Sequence, residues 1–192
     1  THQDHIGGMK PFIRKYGDTD IVKEYWFNGG RFNINLKESG KISIDQGFEL
    51  EKYLIKTGRC NTEKIIYSQN EYDVFGAKVN IVAPIQETLD LFLDGWNKYD
   101  YSSIMNEKIT TSSCDWNTDI KDFDLEKYTP DDNIENMISI SFIIEINNIK
   151  ILFLGDVCSE EVEKSLLDMG YSEENRLEVD YIKISHHASK GN

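Results

Sequence analysis

Cysteine, positive charge and long apolar runs are all scarce in this chain, and each scarcity argues against a class of protein. The three cysteines among its 192 residues are scattered and odd in number, so they predict neither a disulfide framework nor a zinc finger. No apolar run approaches the roughly 18 residues that a membrane-spanning helix requires. We therefore expect a reducing, cytoplasmic location and no membrane segment in this chain.

Basic residues are outnumbered, since 21 Lys and Arg accompany 34 Asp and Glu and the formal net charge is −13. A surface that acidic opposes non-specific binding to nucleic acid or anionic membrane, because both depend on cations that neutralise phosphate. A phosphate-bearing substrate remains compatible, because a bound metal ion can invert the local sign of the charge. The length and the 39% hydrophobic content predict a single globular domain over residues 1–192.

Histidine is scarce as well, and all four histidines lie near the two ends of the chain. His2 and His5 flank Asp4 at the start, whereas His186 and His187 are close to the last residue. Imidazole and carboxylate groups together favour Zn, Mn or Fe over Ca or Mg, which prefer ligand sets made entirely of oxygen. The sequence therefore predicts that the two ends of the chain meet around metal.

The last third of the chain has the clearest periodicity. It predicts two strands, a helix and a final strand, over Ile138–Ile146, Ile149–Leu154, Ser159–Met169 and Val179–Ser185. Asn147-Asn148 predicts a tight turn between the first two strands, because Asn tolerates positive φ. Asp156 follows the second strand, and His186 and His187 follow the final strand.

Earlier residues give weaker patterns, and the mixture of strands and helices predicts α/β layers. The predicted elements are a helix over Met9–Tyr16 interrupted by Pro11, a strand over Ile21–Phe27, a helix over Ile44–Lys56 capped by Gly58, a strand over Ala77–Val82 and a helix over Gln86–Tyr99. Between residues 100 and 136 the periodicity fades and polar residues are frequent. We interpret that stretch as a long surface loop or insertion.

Each metal-binding feature also has an ordinary structural explanation when it is taken alone. A His-x-x-His pair such as His2 and His5 is a weak signal, and Gly155-Asp156 after a strand could simply be a turn. His186-His187 could be a core residue beside a surface residue. The joint occurrence favours a metal site, because one fold could bring all of these groups together.

These residues resemble the metallo-β-lactamase fold superfamily, whose motif is His-x-His-x-Asp-His followed by a strand-end Asp and a final His. His2-Gln3-Asp4-His5 matches the second half of that motif, so the chain looks cut inside it. Asn136–Ser139, the strand that ends at Asp156 and the segment Val179–Lys190 resemble the competence-protein (DNA-uptake) type of this superfamily. The resemblance implies an α/β, four-layer αββα sandwich that is incomplete at its N-terminus.

The resemblance also implies a dinuclear site for two divalent transition-metal ions, Zn or Mn. His2 would bind the first ion, Asp4 and His5 would bind the second, and Asp156 would bridge the two. No histidine lies between His5 and His186, where many members of the superfamily have a further ligand.

One of His186 and His187 would complete the second ion's ligands. His186 is favoured because it lies at the strand end, and His187 would then support a ligand or contact substrate. Ser189 and Lys190 would contact a substrate phosphate, although a solvated tail is the simpler explanation of Lys190. Ala188 stands where the family pattern has Gly, which matters if that position has a positive φ.

The residues and the resemblance together predict a metallo-hydrolase in which a metal-activated hydroxide attacks a phosphodiester or related phosphate ester. Asp4 and Asp156 would be its catalytic carboxylates, and a small molecule or phosphodiester would be its substrate. Nucleic acid is possible but is not supported by the net charge. Two alternatives stay open: a non-catalytic binding or sensing module on the same fold, and a carbonyl hydrolase of the lactamase or thioesterase type.

Overall fold

The structure is a computed structural model, and it describes residues 3–29, 42–60, 67–98 and 133–188. This part of the chain is mixed α/β and contains one five-stranded sheet in the order β1-β2-β3-β4-β5. The strands are β1 (Glu71–Val74), β2 (Ala77–Ala83), β3 (Ser141–Ile146), β4 (Ile149–Phe153) and β5 (Tyr181–Lys183). The helices are α1 (Gln3–Ile6), α2 (Met9–Tyr16), α3 (Ile42–Thr57), α4 (Gln86–Lys98), α5 (Ile134–Met137) and α6 (Ser159–Asp168), and a 3₁₀ turn covers His186–Ala188.

The pairing of the strands brings two chain segments to the same edge of the sheet. Strands β1 to β4 pair in antiparallel fashion, whereas β5 pairs with β4 in parallel fashion. Parallel neighbours end at the same edge of a sheet. Asp156 follows β4 and His186 follows β5, so both residues emerge at that edge.

Two hairpins are closed by two-residue turns with positive φ. Asn147 and Asn148 have φ values of 52° and 63°, which confirms the turn predicted from the two asparagines. The β1–β2 turn consists of Phe75 and Gly76, at φ values of 54° and 84°. Phenylalanine is unusual in this conformation, because a side chain crowds the left-handed region.

Both faces of the sheet carry apolar side chains that pack into cores. On one face, Val82, Ile143 and Leu152 form a core with Val162 and Leu166 of α6. On the other face, a second core contains Val79, Ile81, Trp26, Tyr72, Phe142 and Ile144. The alternation of side chains along each strand separates these two sets.

The N-terminal helices form a further core beside α3. Ile6 of α1 is buried with Leu50, Leu54 and Cys60, which holds the helix that carries His5. Helix α3 ends as predicted at Gly58, whose φ is 65°. The Gly58 N–H donates to Ile55 O and the Arg59 N–H donates to Leu54 O, which is the Schellman arrangement.

A buried carboxylate joins α6 to the start of α4. Glu161 Oε1 accepts a hydrogen bond of 2.7 Å from the Ile85 N–H, and Oε2 accepts one of 2.9 Å from the Thr88 hydroxyl. Burial raises the pKa of Glu161, although these two hydrogen bonds oppose the shift. A second buried link joins the hydroxyls of Ser68 and Ser165, 2.7 Å apart.

The structure corrects one predicted strand and one predicted helix break. Residues 21–27 form no strand apart from a single parallel bridge between Tyr25 and Cys60. Arg59 fixes this segment instead, because its guanidinium donates to the carbonyls of residues 19 and 22. Pro11 does not interrupt α2, since it lies in the first turn, where its missing N–H removes no intrahelical bond.

Two further differences concern short strands. The pattern of the sequence did not predict β1, whose four residues complete the hairpin with β2. Strand β5 has three residues rather than the seven that were predicted.

None of the helices in the described ranges is long and apolar enough to cross a membrane.

Candidate functional site

The turn after β4 places Asp156 and depends on a glycine. Gly155 has φ 58°, and a Cβ on it would lie 2.9 Å from the Ser139 Cβ. A side chain at position 155 would therefore meet both backbone strain and a steric clash. Leu154 O accepts a hydrogen bond of 2.7 Å from the Ser141 hydroxyl, which fixes the last residue before the turn.

The segment after β5 is hydrogen-bonded to this turn. Gly155 O accepts from the His186 N–H at 3.1 Å and from Lys183 Nζ at 2.8 Å. The buried Ser185 hydroxyl donates to Val157 O. Because these three bonds join residues 155–157 to residues 183–186, the backbone positions of Asp156 and His186 are coupled.

The 3₁₀ turn after β5 has a strained backbone. His186 has φ 38° and Ala188 has φ 61°, both in the left-handed region. A glycine at position 188 would adopt this conformation with less strain than Ala188 does. Strain of this kind persists where the surrounding structure imposes it, as the bonds to Gly155 and Val157 do here.

The start of the chain meets the end of β4 through a direct side-chain contact. His5 Nε2 lies 2.7 Å from Asp156 Oδ2, with the His5 side chain 42% exposed and the Asp156 side chain 6% exposed. Helix α1 supplies His5, and the burial of the adjacent Ile6 fixes that helix. An imidazole and a carboxylate separated by about 150 residues in sequence are thus in contact.

Asp156 is a buried carboxylate whose two oxygens have different surroundings. Oδ2 contacts His5, whereas Oδ1 is buried and has no hydrogen-bond partner within the described ranges. Leaving a buried acceptor unsatisfied costs about 1–3 kcal/mol, and more for a charged group. The Nδ1 atom of His186 is also buried. A hydrogen-bond donor or a metal ion bound to Asp156 Oδ1 would remove this cost.

The remaining predicted site residues are only partly located. Asp4 lies on α1 and His187 on the 3₁₀ turn, but their side chains are not described. His2, Ser189 and Lys190 fall outside the described residues, as does most of the predicted insertion at 100–136. Within the described ranges, no group of three or more His, Cys, Asp and Glu side chains is arranged to hold a metal ion.

Several residues that support the site were not singled out from the sequence. Ser185 and Lys183 hold the two strand ends together, and Ser141 holds Leu154. Their only sequence signal is their position within or next to strands that end at candidate ligands. Cys158 is close to Asp156 but is buried, and burial raises the pKa of its thiol, which disfavours the nucleophilic thiolate.

Comparisons of the chain with protein-family models, with curated proteins and with solved structures find no match in any of the three. The superfamily resemblance therefore rests on the motifs at the two ends of the sequence. The roles that it implies for individual residues stay predictions.

Proposed function

We propose that this protein is a metal-dependent hydrolase of the metallo-β-lactamase superfamily, with a phosphodiester or related phosphate ester as its substrate. The observation that supports this most strongly is the contact between His5 and the buried Asp156 at the shared edge of β4 and β5. Strand ends are where α/β folds commonly place ligands and reacting groups.

The donor groups fit a transition-metal ion. His5 and His186 offer imidazole nitrogens, and Asp156 offers two oxygens, of which Oδ1 is buried without a hydrogen-bond partner in the described part of the chain. Mixed nitrogen and oxygen ligands suit Zn or Mn. When bound, such ions would activate water for attack at neutral pH and stabilise negative charge on the substrate.

The chain's own residues would hold and orient these ions. Asp156 would bridge two ions, with His5 and Asp4 on the second and His2 on the first. Gly155 would position Asp156, because only a residue without a side chain fits beside Ser139 without displacement.

Residues at the other strand end would complete the site. His186 would be a ligand to the second ion, since its backbone is tied to Gly155. His187, Ser189 and Lys190 would contact substrate, and a Lys ammonium is a suitable partner for a phosphate.

The two apolar faces of the sheet support the finer proposal of a four-layer αββα sandwich. Phe142 and Phe153 are paired across β3 and β4, and their rings stack at 5.0 Å on the face opposite α6. A sheet that is apolar on both faces needs a layer on each side. Helix α6 supplies one layer, and a second sheet packed on Phe142 and Phe153, rather than over Trp26 and Tyr72, would supply the other.

The test is hydrolysis of bis(p-nitrophenyl) phosphate by the full chain in the presence of Zn or Mn. We expect turnover that a chelator abolishes. Mutating a residue that only supports a metal ligand typically lowers activity roughly 10–100-fold. Because Asp156 would itself be a ligand, Asp156→Asn should lower turnover by more than that. Asp168→Asn is the matched control, because Asp168 is an exposed carboxylate on α6 and should retain activity. Absence of turnover with both metals, or turnover that survives Asp156→Asn, would contradict the proposal.

A non-catalytic module on the same fold is the second candidate, and one observation favours it. The direct contact between His5 and Asp156 links α1 to the end of β4, which is a structural role that needs no catalysis. If the contact is only structural, Asp156→Asn should lower stability and leave metal content unchanged. A carbonyl hydrolase would instead cleave a thioester or lactam in a parallel assay and leave the phosphodiester intact.

A further inference from the structure

The turn between β1 and β2 presents an aromatic side chain to solvent in a strained conformation. Phe75 is 98% exposed and has φ 54°. The corresponding turn between β3 and β4 also has positive φ at both of its residues but uses Asn147-Asn148, the residue type that this turn favours. Phe75 therefore opposes the turn and buries no surface, so the fold gives no reason for an aromatic residue here.

Phe75 lies at the rim of a groove, which we call the hairpin groove. It is lined by residues 20–24, Trp26 and residues 72–75, and it has a volume of about 780 Å³. Trp26 and Tyr72 are in contact there, with ring centroids 4.9 Å apart. Ile21, which is 65% exposed, is a second apolar residue in the lining. The groove thus combines an aromatic pair with two exposed apolar side chains.

The charges of the hairpin groove are mostly negative. Three lining residues are carboxylates, Asp20, Glu24 and Asp73, and Lys23 is the single cation among the lining residues. Asp20 is also paired at 3.7 Å with the Arg59 guanidinium outside the lining, so Glu24 and Asp73 carry most of the negative charge. Glu24 accepts a hydrogen bond of 3.1 Å from the Trp26 indole N–H, and Asp73 accepts one of 3.1 Å from the Gly76 N–H, so both carboxylates are fixed beside the aromatic residues. A cation at this position would be attracted by the negative charge of the carboxylates and by the quadrupole of the aromatic rings.

We propose that the hairpin groove docks a basic segment of a partner protein. A Lys or Arg side chain of that segment lies against Trp26 and Tyr72, and an adjacent apolar residue packs on Phe75 and Ile21. Charge complementarity favours this occupant, because both the groove and the chain as a whole, at net −13, carry negative charge. The same charges oppose an anionic membrane surface, which exposed aromatic residues would otherwise suit. This proposal is independent of the metal site.

The test is a titration of the ¹⁵N-labelled chain with a nine-residue synthetic peptide that alternates Lys or Arg with Leu. A peptide with Glu at every basic position is the matched probe. We expect saturable shifts of the Trp26 indole and Gly76 amide signals with the basic peptide alone, and weaker binding as salt is added. Equal shifts with both peptides, or shifts spread evenly over the acidic surface, would overturn the proposal.

Phe75→Asn separates a binding role from a structural one. Asn favours the turn, so the variant should have a higher melting temperature. It should nevertheless bind the basic peptide about tenfold more weakly, because it lacks the aromatic side chain on which the peptide's apolar residue packs. Leu91→Asn is the control, because Leu91 is similarly apolar and exposed but lies on α4. Unchanged peptide affinity in Phe75→Asn, or binding of the chain to phosphatidylserine vesicles through Phe75, would refute the basic-segment proposal.

Discussion

Replacing Gly155 by alanine should destabilise the fold and displace Asp156. The new Cβ would lie 2.9 Å from the Ser139 Cβ, closer than such atoms approach in proteins, at a residue with φ 58°. The left-handed backbone costs an alanine about 1–2 kcal/mol, and relieving the overlap costs a further 1–3 kcal/mol or so. The expected loss in the free energy of unfolding is therefore about 2–5 kcal/mol.

Gly170→Ala isolates the backbone part of this effect. Gly170 has φ 89°, and a Cβ there would meet nothing within 4 Å, so only the backbone cost of about 1–2 kcal/mol applies. The Ser139→Gly replacement, made in the Gly155→Ala background, isolates the steric part by removing the atom that the new Cβ meets.

Urea denaturation followed by circular dichroism measures all of these variants. In thermal melting followed by the same signal, a domain of this length shifts its melting temperature by about 2–4 °C per kcal/mol, so Gly155→Ala should melt roughly 4–20 °C lower. If Gly155→Ala and Gly170→Ala lose the same stability, the close approach of Gly155 to Ser139 has no energetic consequence. The account of how Asp156 is positioned would then be wrong.

Two further predictions concern the core. Burial raises the pKa of Glu161 in the folded chain above its ordinary value of 4.5. The folded state therefore binds more protons than the unfolded state in this pH range, and stability should fall as pH rises from about 4.5 through the raised pKa. In urea denaturation from pH 4 to 7, Glu161→Gln should become more stable relative to the parent chain as pH rises; no change in the difference would contradict this. Leu54→Ala should lose about 2–5 kcal/mol because Leu54 is fully buried on α3. Ile55→Ala, which truncates a neighbour that is 39% exposed, should lose less in the same measurement.

Sequence patterns predicted the elements whose stability is mainly local. The Asn147-Asn148 hairpin, α3 with Gly58 and α6 with Gly170 follow from turn chemistry, helical periodicity and glycine at helix ends. The strand over 21–27 was wrong for a non-local reason. Val22 O accepts a hydrogen bond from the Arg59 guanidinium, and the Tyr25 N–H donates to Arg59 O, so the segment is held by the residue that follows α3 rather than by a sheet. Strand propensity does not reveal such a partner.

The sequence predicted that the histidines at the two ends of the chain meet around metal together with Asp156. The structure brings His5 into contact with Asp156, and the metal site itself stays a prediction. The supporting contacts of Lys183 and Ser185 were not predictable, because they depend on β5 pairing in parallel with β4. Serine and lysine carry no pattern that would indicate such a role.

The most direct test of the central claim is the metal content of the full chain, measured by plasma mass spectrometry after incubation with Zn or Mn and removal of unbound ion. The account predicts that the parent chain retains transition metal in a fixed ratio and that Asp156→Asn, although folded, loses it. A parent chain that retains neither metal, or an Asp156→Asn variant that retains as much as the parent, would contradict the account.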